Sequence, residues 1–156
     1  MILKNIKWLL LLAMLPVFAA CSWEELPSYD EADITACRFF YRWASNEYKD
    51  DVTGEPLILE MELSTSFSID DEAGIANVAV TVPNAQSYFT SEVRSQVSQS
   101  NLCCQVTISS AARIAPADGH KVLGIPDDWT QPHKFIITAA NGTKKEWTIN
   151  VTSFNK

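Results

Sequence analysis

Histidine is nearly missing from this chain of 156 residues, which has two, and glycine is scarce at five. His120 and His133 alone give little from which to build a metal centre or a general-base pair, and no Cys-x-x-Cys pair accompanies them. No Gly-rich phosphate loop occurs, which excludes the usual nucleotide cradles. Basic clusters are missing too: 12 Lys and Arg stand against 19 acids, and a net charge of −7 argues against nucleic acid and against docking on anionic lipid. No apolar run reaches the roughly 20 residues of a membrane-crossing helix. No internal repeat or low-complexity stretch is visible. The acidic groups Asp50-Asp51, Asp70-Asp71-Glu72 and Asp127-Asp128 lack the D-x-D-x-D-G spacing of a calcium loop and read as solvated turns. They would serve a glycosidase only if two met across a cleft about 5–10 Å apart. The sequence therefore offers no catalytic set, no metal site and no cofactor motif, and the expectation is a protein that is not an enzyme.

The one long apolar run lies at the N terminus. Lys4 and Lys7 precede Trp8–Phe18, and the small pair Ala19-Ala20 precedes Cys21. A basic start, a short apolar stretch and small residues before a cut read as a secretory signal peptide over residues 1–20. Phe18-Ala19-Ala20-Cys21 resembles a bacterial lipobox, with Phe18 where most boxes carry leucine. That resemblance implies lipidation of Cys21, and hence a membrane partner reached through acyl chains, each buried CH₂ contributing about 0.8 kcal/mol. Ser22-Trp23-Glu24-Glu25 resembles the acidic signal that sends Bacteroidota lipoproteins to the outer face of the outer membrane. The resemblance implies an outer-membrane, cell-surface lipoprotein.

All 19 acids follow Cys21 and two of the 12 cations precede it, so the exported chain would carry a formal charge of −9. The chain beyond residue 20 suffices for one core and not two. Residues 21–34 are expected to be a tether and 35–156 a single domain. With Cys21 lipidated, Cys37, Cys103 and Cys104 remain, an odd number for an oxidising compartment. A disulfide from Cys37 to Cys104 or to Cys103, leaving one thiol, and three buried free thiols are both open. A nucleophilic cysteine paired with histidine has no local signature.

The body reads as strands. Over 36–43, Cys37, Phe39, Tyr41 and Trp43 alternate with Arg38, Phe40 and Arg42, and over 57–63 Leu57, Leu59, Met61 and Leu63 alternate with Glu60 and Glu62. A turn at 70–74 precedes a β-branched run over 75–82. Cys104, Val106 and Ile108 share one face of a further strand. Phe135, Ile137 and Ala139 alternate before Asn141-Gly142, and Trp147, Ile149 and Val151 alternate after it. Period-two alternation bounded by Gly, Pro and Asn is the signature of strands. Asn-Gly between two such runs predicts a hairpin with a type I′ turn. Only 88–99 has helical spacing, amounting to a turn or two. The pattern predicts an all-β antiparallel sandwich, with Cys37 and Cys104 pointing inward where a cross-sheet bridge would lie.

The final third runs Ala112-Arg113-Ile114-Ala115-Pro116-Ala117-Asp118-Gly119, then Asp128-Trp129-Thr130-Gln131-Pro132. It closes on Ile136-Ile137-Thr138-Ala139-Ala140-Asn141-Gly142-Thr143-Lys144-Lys145-Glu146-Trp147-Thr148-Ile149. This resembles the immunoglobulin-like repeat of Bacteroidota surface lipoproteins, with Trp129 and Asn141 where the family usually has Phe and Asp. Tyr29-Asp30-Glu31-Ala32-Asp33-Ile34-Thr35 and Arg42 resemble the N-terminal part of members of unassigned function. The resemblance implies an immunoglobulin-like sandwich and a habitat beside surface glycan-uptake systems, and it implies no chemistry. Asp128 is expected to cap a turn, and Trp129 and Trp147 to fill the core.

Two functions fit. One is an accessory module that captures a glycan, for which the residues able to stack on a sugar ring are Trp43, Tyr48, Tyr88, Phe89 and Trp129. Tyr88-Phe89 stands out because it lies between turn-like segments. The other is a structural or adhesin-type subunit of an envelope complex, whose partners would be outer-membrane uptake or adhesion proteins reached through an edge strand. An exposed aromatic platform beside a groove separates the two.

Overall fold

The computed structural model describes residues 29–156 apart from Asp118 and His120. The signal peptide, Cys21 and the Glu24-Glu25 pair lie outside the described residues.

Among the described residues, eight strands and one short helix follow in the order β1 (Ile34–Lys49), β2 (Pro56–Glu62), β3 (Ser64–Asp70), β4 (Ile75–Thr81), α1 (Ser91–Gln96), β5 (Cys103–Ile108), β6 (Arg113–Pro116), β7 (His133–Thr138) and β8 (Lys144–Asn155). They form two open sheets, one ordered β2-β1-β5 and the other β3-β4-β8-β7-β6. The protein is thus all-β and sandwich-like. It departs from the expected antiparallel design in one place: β4 and β8 pair parallel, with Val78 opposite Val151. Parallel neighbours need a long crossover, and residues 82–143, carrying α1 and β5–β7, supply it.

Alternation along β1 sets the core. Cys37, Phe39 and Tyr41 are buried on its inner face. Against them lie Val78, Phe135, Ile137, Trp147 and Ile149 of the larger sheet, all buried in one cluster. Burying a side chain of this size stabilises by about 1.5–3 kcal/mol. Between β2 and β3 the ribbon crosses from one sheet to the other at Leu63, which is buried and whose amide donates to the Phe39 carbonyl at 2.9 Å. The outer face of β1 is covered by the loop that precedes β7, where Arg42 Nη1 donates to the Gly124 carbonyl.

Two expectations change in detail. Trp147 Nε1 donates to the Ala32 carbonyl at 2.8 Å, and Ala32 and Ile34 are buried in the core. The packed domain therefore takes in the end of the expected tether. The β7–β8 hairpin forms, but its turn is not type I′. That turn needs positive φ at both central residues, and here Gly142 has φ +89 while Asn141 does not join the positive-φ residues. Instead the Asn141 side chain accepts the Thr143 amide at 2.8 Å, an Asx turn.

Of the two readings left open for the cysteines, the structure takes the free thiols and not the Cys37–Cys104 bridge: Cys37, Cys103 and Cys104 are buried and unbridged. Cys37 and Cys104 do face inward, but both belong to the smaller sheet, on the adjacent strands β1 and β5. Cys37 pairs with Val106 and Phe39 with Cys104, which makes the two cysteines diagonal neighbours. Diagonal neighbours stand about 7–8 Å apart, beyond the roughly 4.4–6.8 Å between the Cα atoms of a disulfide.

Candidate functional site

At the far end of β1 the ladder with β2 slips. Trp43 pairs with Leu59 and Ala44 with Ile58, and the next pair is Lys49 with Pro56. The slipped residues turn back on the buried Ser45 hydroxyl, which accepts the amides of Glu47 at 3.1 Å and Tyr48 at 2.9 Å. A bulge of this kind re-aims side chains at a sheet margin. It turns Asn46, Glu47 and Tyr48 toward a groove of about 360 Å³, at the lower end of the range of roughly 300–1,000 Å³ found for small-ligand sites.

The opposite wall comes from the segment after β4. Gln86 and Phe89 exchange backbone hydrogen bonds of 2.9 and 2.8 Å, closing a tight turn in which Ser87 takes φ +43. This turn sends two adjacent rings opposite ways: Tyr88 outward, 45 % exposed, and Phe89 into the core, 0 % exposed. Helix α1 follows, started by Thr90, whose hydroxyl accepts the Val93 amide at 3.3 Å. Satisfying an otherwise orphaned helix donor in this way stabilises the first turn by about 1 kcal/mol. One face of α1 brings Glu92, Val93 and Gln96 to the groove, as the one-turn spacing of Glu92 and Gln96 requires.

Three rings of nearly common orientation step across this site. Tyr41 and Trp43 stack with centroids 5.8 Å apart and planes at 15°. Trp43 and Tyr88 stack at 6.1 Å and 22°. Phe89 supports Trp43 from the core side at 5.8 Å, tilted. Tyr88 and Tyr48 are the exposed rings, and Trp43 is half-buried. The polar lining of Asn46, Glu47, Thr90, Glu92 and Gln96 holds no lysine or arginine. Arg94 on the same helix is turned away, donating from Nε to the Pro83 carbonyl at 2.8 Å.

Of the five aromatic residues singled out from the sequence, the groove gathers Trp43, Tyr48 and Tyr88. Phe89 and Trp129 are corrected. Both are core residues, at 0 and 2 % exposure, and offer no face to a ligand. Trp129 instead packs edge-on against Phe39 and flat against His133. The polar wall was not anticipated. Two signals pointed to it: alternation fails after Trp43, and Thr90-Ser91-Glu92 carries an N-cap with an acid in the following turn. The acidic groups at 50, 70 and 127–128 cap turns. Asp50 Oδ1 accepts from Val52 and Thr53, Asp70 Oδ1 from Ala73, Asp127 Oδ1 from Asp128, and Asp128 Oδ1 from Thr130. Among the described residues no group of three His, Cys, Asp or Glu side chains converges to hold a metal ion. Nor is any described helix long and apolar enough to cross a membrane.

The chain belongs to the DUF5018-related family, a domain family of unknown function whose model matches residues 34–150. It is similar to the crystal structure of a protein from Bacteroides fragilis NCTC 9343 described as a candidate secreted protein. The two share 45 % identity with a TM-score of 0.75, over 83 % of this chain and 100 % of that one. A second likeness, to a candidate glycoside hydrolase from Bacteroides thetaiotaomicron VPI-5482, has 23 % identity and a TM-score of 0.44. It spans 83 % of this chain and 27 % of that one, and carries no argument about fold or activity. No curated protein matches the chain.

Proposed function

We propose that this protein is a non-catalytic glycan-binding module, exported and held by lipid on Cys21 at the outer-membrane surface, with its site in the groove between the β1 bulge and α1. The observation that carries the reading is the Tyr41–Trp43–Tyr88 row ending in an exposed ring beside hydrogen-bonding side chains. Sugar rings present an apolar face that packs on an aromatic ring and a rim of hydroxyls that needs polar partners, and the groove supplies both. The two-sheet architecture supports an immunoglobulin-like sandwich as the scaffold. The description of the B. fragilis relative as secreted supports export.

The test is affinity electrophoresis of the full chain, purified in detergent, through gels containing a panel of polysaccharides. Retardation is expected, and Tyr88→Ala should weaken it by about 2 kcal/mol, as loss of a central aromatic anchor does, while leaving the thermal midpoint nearly unchanged. Binding that survives both Tyr88→Ala and Trp43→Ala would move the site elsewhere.

A second reading, an adhesin-type or structural subunit, is favoured by edge strand β2, where Leu57 and Ile58 are 40 and 66 % exposed. An edge of this kind can accept a partner strand. Loss of a co-purifying envelope protein on Ile58→Lys, with polysaccharide binding absent from the wild type, would establish it.

A further inference from the structure

We propose that the groove selects neutral glycans and rejects acidic ones, with Glu47 and Glu92 as the specificity-determining pair; this rests on the groove being a sugar site. The two carboxylates belong to opposite walls. Glu47 is set by the bulge that folds back on Ser45, and Glu92 by the first turn of α1 after its Thr90 cap. A ligand lying along the Trp43–Tyr88 row therefore passes between two negative groups.

An ionised carboxylate is purely an acceptor, so each can take hydrogen bonds only from donors. Neighbouring hydroxyls of a neutral pyranose are such donors. Glu47 and Glu92 are both exposed, but a uronate or sulfate ester bound at the same place would set like charges directly against each other at a contact, which is unfavourable. Nothing in the lining offsets that repulsion. It contains no Lys or Arg, Arg94 is committed to Pro83, and Lys156, which reaches α1 from the C terminus, donates to the Ser95 carbonyl at 2.9 Å. The remaining polar groups, the amides of Asn46 and Gln96 and the Thr90 hydroxyl, are neutral and suit hydroxyl or N-acetyl substituents. The aromatic row makes the groove a ring-binding surface, and the carboxylates determine which rings enter.

The chain as a whole is acidic, so long-range repulsion of an acidic polymer must be separated from repulsion in the groove. Exposed charges are screened beyond a Debye length of about 8 Å at physiological salt. The experiment compares full-length chain in detergent, at physiological salt or above, on matched neutral and acidic gels: a galactomannan and a mixed-linkage β-glucan against polygalacturonate and chondroitin sulfate. Four proteins are run: wild type, Glu47→Gln/Glu92→Gln, Tyr88→Ala, and Asp70→Asn/Asp71→Asn, which removes the same charge on the distant β3–β4 turn.

Wild type is expected to be retarded by at least one neutral polymer and by neither acidic one. The Glu47/Glu92 variant should narrow the neutral-over-acidic preference by about tenfold, and the Asp70/Asp71 variant should leave it in place. Retardation of wild type on an acidic polymer that is lost in Tyr88→Ala would keep the groove as a sugar site and overturn the charge selection. An equal narrowing by the Asp70/Asp71 variant would overturn it as well, by assigning the preference to net charge. Binding indifferent to Tyr88→Ala, or no binding to any polymer, would remove the sugar-site reading itself.

Discussion

Trp129 donates its indole N–H to the Leu102 carbonyl at 3.0 Å and in doing so fastens the loop before β7 to the start of β5. The same carbonyl accepts the Asp127 amide at 3.0 Å, the Trp129 amide reaches Gln99 O at 3.0 Å, and the ring meets Phe39 at 87°. Three segments distant in sequence thus converge on one side chain.

Trp129→Phe keeps a ring in this place but loses the donor and part of the filled volume. It is expected to lower stability by about 1–3 kcal/mol, read as a smaller urea midpoint with an unchanged m value. Glycan retardation of the folded variant should match wild type. A selective loss of binding would return Trp129 to the site.

Gly74 and Gly142 both have positive φ, at +65 and +89, but their surroundings differ. A Cβ at Gly74 would lie 2.3 Å from the Glu146 carbonyl oxygen, whereas one at Gly142 meets nothing within 4 Å. Gly142→Ala should cost only the left-handed backbone penalty, about 1–2 kcal/mol. Gly74→Ala adds a clash with backbone that also holds the Thr148 amide on the Gly74 carbonyl at 2.8 Å, and its cost should exceed about 4 kcal/mol. Equal thermal midpoints for the two variants would show that β4 and β8 part more readily than their register implies.

Burial pushes the Cys37 thiol from 9.0 up to about 12 and drives Cys104 upward as well, with neighbouring Cys37 adding to the effect on Cys104. A pKa raised by folding means that the native state keeps its proton where the unfolded chain has lost it. The stability tied to Cys37 is then complete below about pH 9 and falls between about pH 9 and 12, by about 1.4 kcal/mol per pH unit, and that tied to Cys104 falls in the same direction above about pH 9. Denaturant titrations of wild type and Cys37→Ala/Cys104→Ala should diverge in that window and run parallel below it. Parallel curves up to pH 11 would mean that the thiols ionise without unfolding. Iodoacetamide at pH 8 should label neither residue until denaturant is added.

How far the sequence foretold this protein depended on what each strand buries. β1, β2, β5, β7 and β8 were legible because one face of each meets the core and alternation follows, and β4 through its β-branched run. β3, Ser-Thr-Ser-Phe-Ser-Ile-Asp, was not, since it is an edge strand with only Thr65 and Ile69 half-buried. β6 is four residues long and also lies at an edge. The last third of β1 escaped notice because Ala44 to Lys49 show no apolar alternation and are held by backbone pairing across a bulge. The parallel contact of β4 with β8 joins residues as far apart as Val78 and Val151, and no local pattern encodes it. In the groove, Trp43, Tyr48 and Tyr88 were legible as aromatic residues, but the choice between Tyr88 and Phe89 was made by the left-handed Ser87 turn. Period-two reasoning cannot register a reversal of that kind in a loop.

The length of β1 sets a distance. From Ile34 to Ser45 the strand advances roughly 35 Å at about 3.3 Å per residue, so the buried Ala32 and Ile34 lie at the opposite end of β1 from the groove. The strand therefore works as a mast. The aromatic row of Trp43 and Tyr88 thus stands at the far end of the domain from Ile34, separated from it by most of the length of β1.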